Sequence, residues 1–192
     1  MDKKESRIKI RHDRTDTSKI IISEELYKNI EDALHSSKED GIKGNYNYKF
    51  YAFGEDEERF NTYLKNSEKL ELKKKNNLYT VNGEDLDLLS SHFMAGEWCL
   101  ANVIFHTDSD STAEDNYNDY INYFNFYNGR VRILSIVVTE EDKKPKLDIF
   151  EQIVRHNEVY RRDNVFIRVN DIDIPLEEYQ NKKEDTTTYG TK

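Results

Sequence analysis

One cysteine, Cys99, is all that this 192-residue chain offers to thiol chemistry. It cannot pair within the chain, which excludes a disulfide scaffold and fits a reducing compartment. Its place inside an apolar run makes it a small buried hydrophobe. Long apolar runs are missing as well. None approaches the ~18 residues of a membrane-spanning helix, and no charged-then-apolar leader opens the sequence. The expectation is a soluble, cytoplasmic protein without membrane association. Positive charge is also short, with 29 Lys and Arg against 38 Asp and Glu and a net charge of −9. Phosphate neutralisation needs clustered Lys and Arg, so direct nucleic-acid binding is disfavoured. No Gly-x-Gly-x-x-Gly, Walker loop, Cys-x-x-Cys or Gly-x-Ser-x-Gly motif occurs, which removes the common dinucleotide, nucleotide, redox and serine-hydrolase signatures.

Hydrophobic residues make up only 36% of the chain, against a usual ~45–50% that also counts glycine. The 13 tyrosines and nine phenylalanines must therefore supply much of the core, and each can bury ~150–250 Å². The length fits one domain that folds without disulfides or metal. Three parts are expected: a basic arm over 1–18, flexible or an edge strand through Ile8 and Ile10; one domain over 19–179; and a disordered polar tail over 180–192.

Within the domain, Ile20, Ile21 and Ile22 lead into Ser23, an N-cap followed by Glu24 and Glu25. Leu26, Ile30, Ala33 and Leu34 at helical spacing continue a first helix to about Ser37. Alternation over 46–52 predicts a strand broken by Gly54, and Phe60 and Leu64, one turn apart, predict a short second helix over 55–66. Leu70, Leu72 and the run 78–81 flank Lys73-Lys74-Lys75-Asn76-Asn77, a hairpin with a basic tip. Residues 84–94 fit strand or helix. Residues 98–105 and 131–138 read as strands joined by a polar loop and a helix over 113–128 that closes at Asn128-Gly129. A charged loop with Pro145 covers 139–146. Residues 147–159 fit both periods and are assigned to helix for their length. Val165, Ile167 and Val169 alternate, Asn170-Asp171 turns the chain, and Ile172 and Ile174 form the partner strand. The sum is an α+β domain: a mixed, largely antiparallel sheet with three to four packed helices and flexible termini.

The loop after the run 98–105 gathers a histidine and several carboxylates within ten residues. His106, Asp108 and Asp115 can hold a divalent ion, with zinc or manganese suited to imidazole plus carboxylate. A bound metal would activate water for hydrolysis. His106-Thr107-Asp108 followed by Thr112-Ala113-Glu114-Asp115 resembles the JAB/JAMM metalloprotease motif, in which His-x-His and a later Ser-x-x-Asp hold zinc. That resemblance implies His106 as first ligand, Thr112 in place of the serine and Asp115 as the aspartate. Asp108 stands where the family has its second histidine. Folding alone offers another account of the same residues, with Thr112 capping the helix and Asp115 favoured by its dipole.

Two function classes follow. The first is an acidic, non-enzymatic interaction protein without cofactor that binds and inhibits a basic protein partner, such as a nuclease or nucleic-acid-binding complex, in the manner of an anti-defence inhibitor or toxin-immunity protein. Asp108, Asp110, Glu114, Asp115 and Asp119 would form its partner-binding patch. The alternative is a metal-dependent hydrolase with a degenerate JAB/JAMM-like site at His106, Asp108 and Asp115. The Asn-, Lys- and Tyr-rich composition resembles that of AT-rich bacterial or phage genomes.

Overall fold

A computed structural model describes residues 10–11, 18–39, 48–57, 61–71, 73–75, 78–80, 87, 90–92, 94–96, 98–105, 132–153 and 158–188. It is an α+β structure of two sheets, made mostly of strands. In chain order the elements are β1 (Ile10–Arg11), β2 (Ile20–Ser23), α1 (Glu24–Glu39), β3 (Tyr48–Asp56), β4 (Thr62–Glu71), β5 (Lys73–Lys75), β6 (Leu78–Thr80) and β7 (Trp98–Phe105), then β8 (Arg132–Glu141), β9 (Lys144–Ile153), β10 (Glu158–Arg162), β11 (Val165–Val169), β12 (Ile172–Pro175) and α2 (Leu176–Thr188). Residues 90–92 add a helical turn, closed where the Ala95 amide donates to the carbonyls of Ser91 and His92 and Gly96 takes a φ of 81°.

Ten strands form one sheet in the order β1-β10-β9-β8-β7-β3-β4-β2-β11-β12, and β5 pairs with β6 in a second. Five of the nine interfaces in the large sheet are antiparallel and four parallel, so its mixed character is stronger than expected. β2 lies parallel to both neighbours, β4 and β11. That accounts for its unbroken isoleucine run: Ile20, Ile21 and Ile22 are each 0% exposed because both faces of the strand are covered.

The sheet must curl. β10 and β11 stand second and ninth in the order, seven spacings or about 34 Å apart in a flat sheet. Only Asp163 and Asn164 separate them in sequence, and three extended residues reach about 11 Å. The two ends of the sheet therefore come together at this link, where the Ile20 amide donates to the Asn164 carbonyl at 2.9 Å. α1 sits inside the curl, touching β2, β4 and β11 on one side and β8 and β9 on the other. Its Leu26, Tyr27, Ile30 and Leu34 join Ile20, Ile22, Leu64, Ala101, Val103, Ile136, Ile149 and Ile167 in one core.

Several local readings agree with the structure. The Ser23 hydroxyl accepts from the Leu26 amide at 3.0 Å and donates to the Lys65 carbonyl at 2.6 Å, capping α1 while tying it to β4. Residues 98–105 and 132–138 are strands. Asn170 and Asp171 take φ of 47° and 64° in the β11–β12 turn, the left-handed pair that a two-residue hairpin requires.

Others are corrected. Of the second helix expected over 55–66, residues 55–56 end β3 and 62–66 begin β4, where Thr62 and Leu64 are buried and Tyr63 and Lys65 are half-buried. The Phe60/Leu64 spacing coincides with one helical turn, but period two prevails because β4 pairs on both sides. Gly54 does not break β3. It lies within it at a register shift, where an added Cβ would stand 1.8 Å from the Tyr63 carbonyl oxygen. The charged loop over 139–146 is instead a tight turn: Asp142 and Lys143 take φ of 52° and 64°, and β8 and β9 pair from Arg132↔Ile153 to Glu141↔Lys144. Of the helix assigned to 147–159, residues 147–153 consequently belong to β9 and 158–159 to β10. Ile149 and Phe150, on opposite faces, are both 0% exposed, so burial on both faces left a helical period beside the alternation of a strand. The three lysines of the expected basic tip lie in β5, with Lys75 opposite Leu78. Gln180, Lys182 and Lys183, placed in a disordered tail, belong to α2. The helix expected over 113–128 lies outside the described residues, so three to four helices are not established.

Candidate functional site

β7 ends at Phe105, paired with Val138. His106, Asp108, Asp110, Glu114, Asp115 and Asp119, with Thr112, lie outside the described residues, and so do both the metal set and the partner patch read from the sequence. Among the described residues no group of three or more His, Cys, Asp or Glu is placed to hold a metal ion, and no helix is long and apolar enough to cross a membrane.

The described residues bring together three clusters that the sequence did not announce. At the seam of the curl, Arg162 on β10 pairs with Glu151 on β9 at 2.5 Å, both side chains sealed from solvent. Its other terminal nitrogen donates to the carbonyl and hydroxyl oxygens of Ser18, each at 2.7 Å. An uncompensated charge here would be costly, and the pair with its extra acceptors compensates it. Arg162 thus holds the entry to β2 against β10.

On the outer face of β2, β4 and β11, buried Ile21 lies in register with Tyr63 on one side and Phe166 on the other. Arg168 stands 4.3 Å from the Tyr63 ring centre and Lys19 4.5 Å from that of Phe166. The Arg168 guanidinium donates to both Glu57 oxygens at 2.5 and 3.1 Å and to Asp173 at 2.7 and 3.3 Å. The bonds from Glu57 first, then Asp173, push its already high pKa further up, and Arg168 in turn holds the Asp173 carboxyl below its usual range. This face is roofed by its own side chains.

The third cluster joins the helices. Tyr27 of α1 and Tyr179 of α2 meet edge to face with centroids 5.4 Å apart. The Gln180 amide donates to the Tyr27 hydroxyl and to the Pro145 carbonyl, each at 2.8 Å. The Tyr179 hydroxyl donates to Glu24 at 3.0 Å, and Lys183 reaches Glu31 at 2.5 Å. Desolvation pushes the Tyr27 pKa up to about 12, the Gln180 bond opposing it and the Glu31 charge adding to it. Tyr179 is raised too, by desolvation first and then by Glu24. Only the Glu24 end of this cluster carried a sequence signal, as an acid in the first turn of a helix. Away from these clusters, His92 meets Glu68 of β4 at 2.8 Å.

No protein-family model matches the chain, and no curated protein matches it in sequence. Among solved structures, the solution structure of a protein from Salinibacter ruber is similar at a TM-score of 0.46 and 13% identity, covering 80% of this chain and 94% of that one.

Proposed function

We propose that this is an acidic, non-enzymatic interaction protein that binds and blocks a basic, nucleic-acid-handling protein, in the manner of an anti-defence inhibitor or a toxin-immunity protein. The supporting observation is how the chain spends its cations. Lys19, Lys28, Lys65, Lys146, Arg161, Arg162, Arg168, Lys182 and Lys183 each have a carboxylate of the same chain within 3.8 Å. These nine cations of the described residues are thereby paired within the chain, and the chain as a whole carries a net charge of −9. Such a surplus of negative charge steers a basic partner in and repels nucleic acid.

The test is capture of basic nucleases and nucleic-acid-binding proteins at low ionic strength, followed by reversal of Asp108, Asp110, Glu114, Asp115 and Asp119 to lysine. The expected outcome is affinity that falls with salt and drops at least about tenfold on reversal. Unchanged affinity removes the patch, and failure to capture any basic partner removes the reading. Metal analysis of untagged protein checks the hydrolase alternative: bound zinc or manganese that His106→Ala abolishes would replace the present reading.

A further inference from the structure

Lys183 of α2 does more than pair with Glu31. Its ammonium lies 5.6 Å from the centroid of the Tyr27 ring and 6.0 Å from that of Tyr179. Those rings stand at 82° to each other, and Glu24 is bonded to the hydroxyl of the second. Two electron-rich rings and one carboxylate, Glu31, thus converge on one cation, which the chain supplies itself.

We propose that this cluster is a cage for a lysine side chain of a basic partner protein, and that Lys183 is its built-in occupant, displaced when the partner binds. The proposal rests on the reading above and gives it a place on the described surface.

Three features support it. The local field is negative, since Glu31 makes both phenols harder to ionise and Glu24 adds to the effect at Tyr179. The occupant is held loosely: the Lys183 side chain is 43% exposed, and an ion pair at that exposure is weak. Beyond Gln180 the helix is exposed, with residues 181–183 open to solvent. Of residues 176–183 only Tyr179 is buried, with Leu176 and Gln180 half-buried, and the following Glu-Asp-Thr-Thr-Thr contains weak helix formers. Lys183 can therefore leave the cage while Tyr179 stays. An internal occupant lowers the apparent affinity for an outside lysine by the fraction of time the cage is filled.

The experiment titrates the full chain with an N-acetylated tetralysine amide, following the ring resonances of Tyr27 and Tyr179. Lys183→Gln is expected to tighten binding about five- to tenfold with shifts at both rings. Lys182→Gln removes the same charge one residue earlier, from a pair with Glu178 at 2.6 Å, and is expected to change affinity less than about twofold. Adding Glu31→Gln to Lys183→Gln should cancel the gain. Equal gains in the two lysine variants, or an undiminished gain without Glu31, overturn the cage. Lys183→Met keeps the stem and removes only the charge, so it must reproduce the gain; a gain confined to the glutamine variant would reflect loosening of α2 and also overturns it. Repeating the titration with Asp108, Asp110, Glu114 and Asp115 reversed separates the two ideas. Partner binding that survives the reversal removes the loop patch and leaves the cage, while partner binding that falls with the Lys183→Gln gain intact keeps both. Loss of the gain removes the cage, whatever the reversal does to partner binding.

Discussion

Arg162 and Glu151 form an ion pair that water does not reach, and the same guanidinium grips Ser18, 144 positions earlier in the chain. Breaking such a pair from one side leaves a buried charge without its partner, whereas removing both leaves none. Arg162→Met is therefore expected to lower stability by about 3–5 kcal/mol, and adding Glu151→Leu to recover a large part of that loss. Urea denaturation of the two single variants and the double variant measures the coupling; simple additivity would show that the pair does not act as a unit.

Gly54 makes a different demand. With a Cβ position 1.8 Å from the Tyr63 carbonyl oxygen, a methyl group requires β3 and β4 to part. Gly54→Ala is expected to cost on the order of 3 kcal/mol or more, seen as a lowered Tm or loss of soluble protein. Gly96, with φ of 81° and open space around its Cβ position, should lose less on the same change, about 1 kcal/mol.

Ser23 caps α1 and bonds to β4 with one hydroxyl. Ser23→Ala is expected to cost about 1–2 kcal/mol. Hydrogen exchange should rise first at the amides of the opening turn of α1, Leu26 among them; uniform loosening of the whole chain would assign the cost elsewhere.

Two titrations have opposite limbs. Asp173 is held below its ordinary pKa by Arg168 first and Lys19 after it. Its contribution is present above the unfolded value of about 3.9 and is lost as pH falls through the folded one. Asp173→Asn should flatten the acid limb of the stability curve. Tyr27 is pushed up to about 12, so its contribution is present below an unfolded value of about 10 and is lost as pH climbs toward 12. Tyr27→Phe should flatten the alkaline limb. Urea midpoints against pH, read for both variants, check the two signs.

Legibility in the sequence followed the range of the forces at work. The Ser23 cap and the Asn170-Asp171 turn were readable because each is decided within four residues. The start of β4 was missed because Phe60 and Leu64 imitate a helical turn, and the pairing that overrules them comes from β3 on one side and from β2, some 40 residues away, on the other. β9 was missed because apolar residues buried on both faces let 147–159 fit a helical period as well as alternation. α2 depends on Tyr179 finding Tyr27, 152 residues back (179 minus 27), which no local pattern records. Of the candidate sites, the carboxylate-rich loop was visible as composition, while the tyrosine cage exists only once the two helices meet.

The link at Asp163-Asn164 also sets a schedule. Ile20 pairs with Val165, 145 positions later (165 minus 20). On a ribosome β2 therefore waits with one edge unmatched until nearly the whole chain has emerged, and the curl cannot shut before then. Closing so distant a contact carries a large entropic toll before any reward. Slow final closure, with an isoleucine-rich strand edge open in the interim, is the cost of joining both ends of a sheet through two residues.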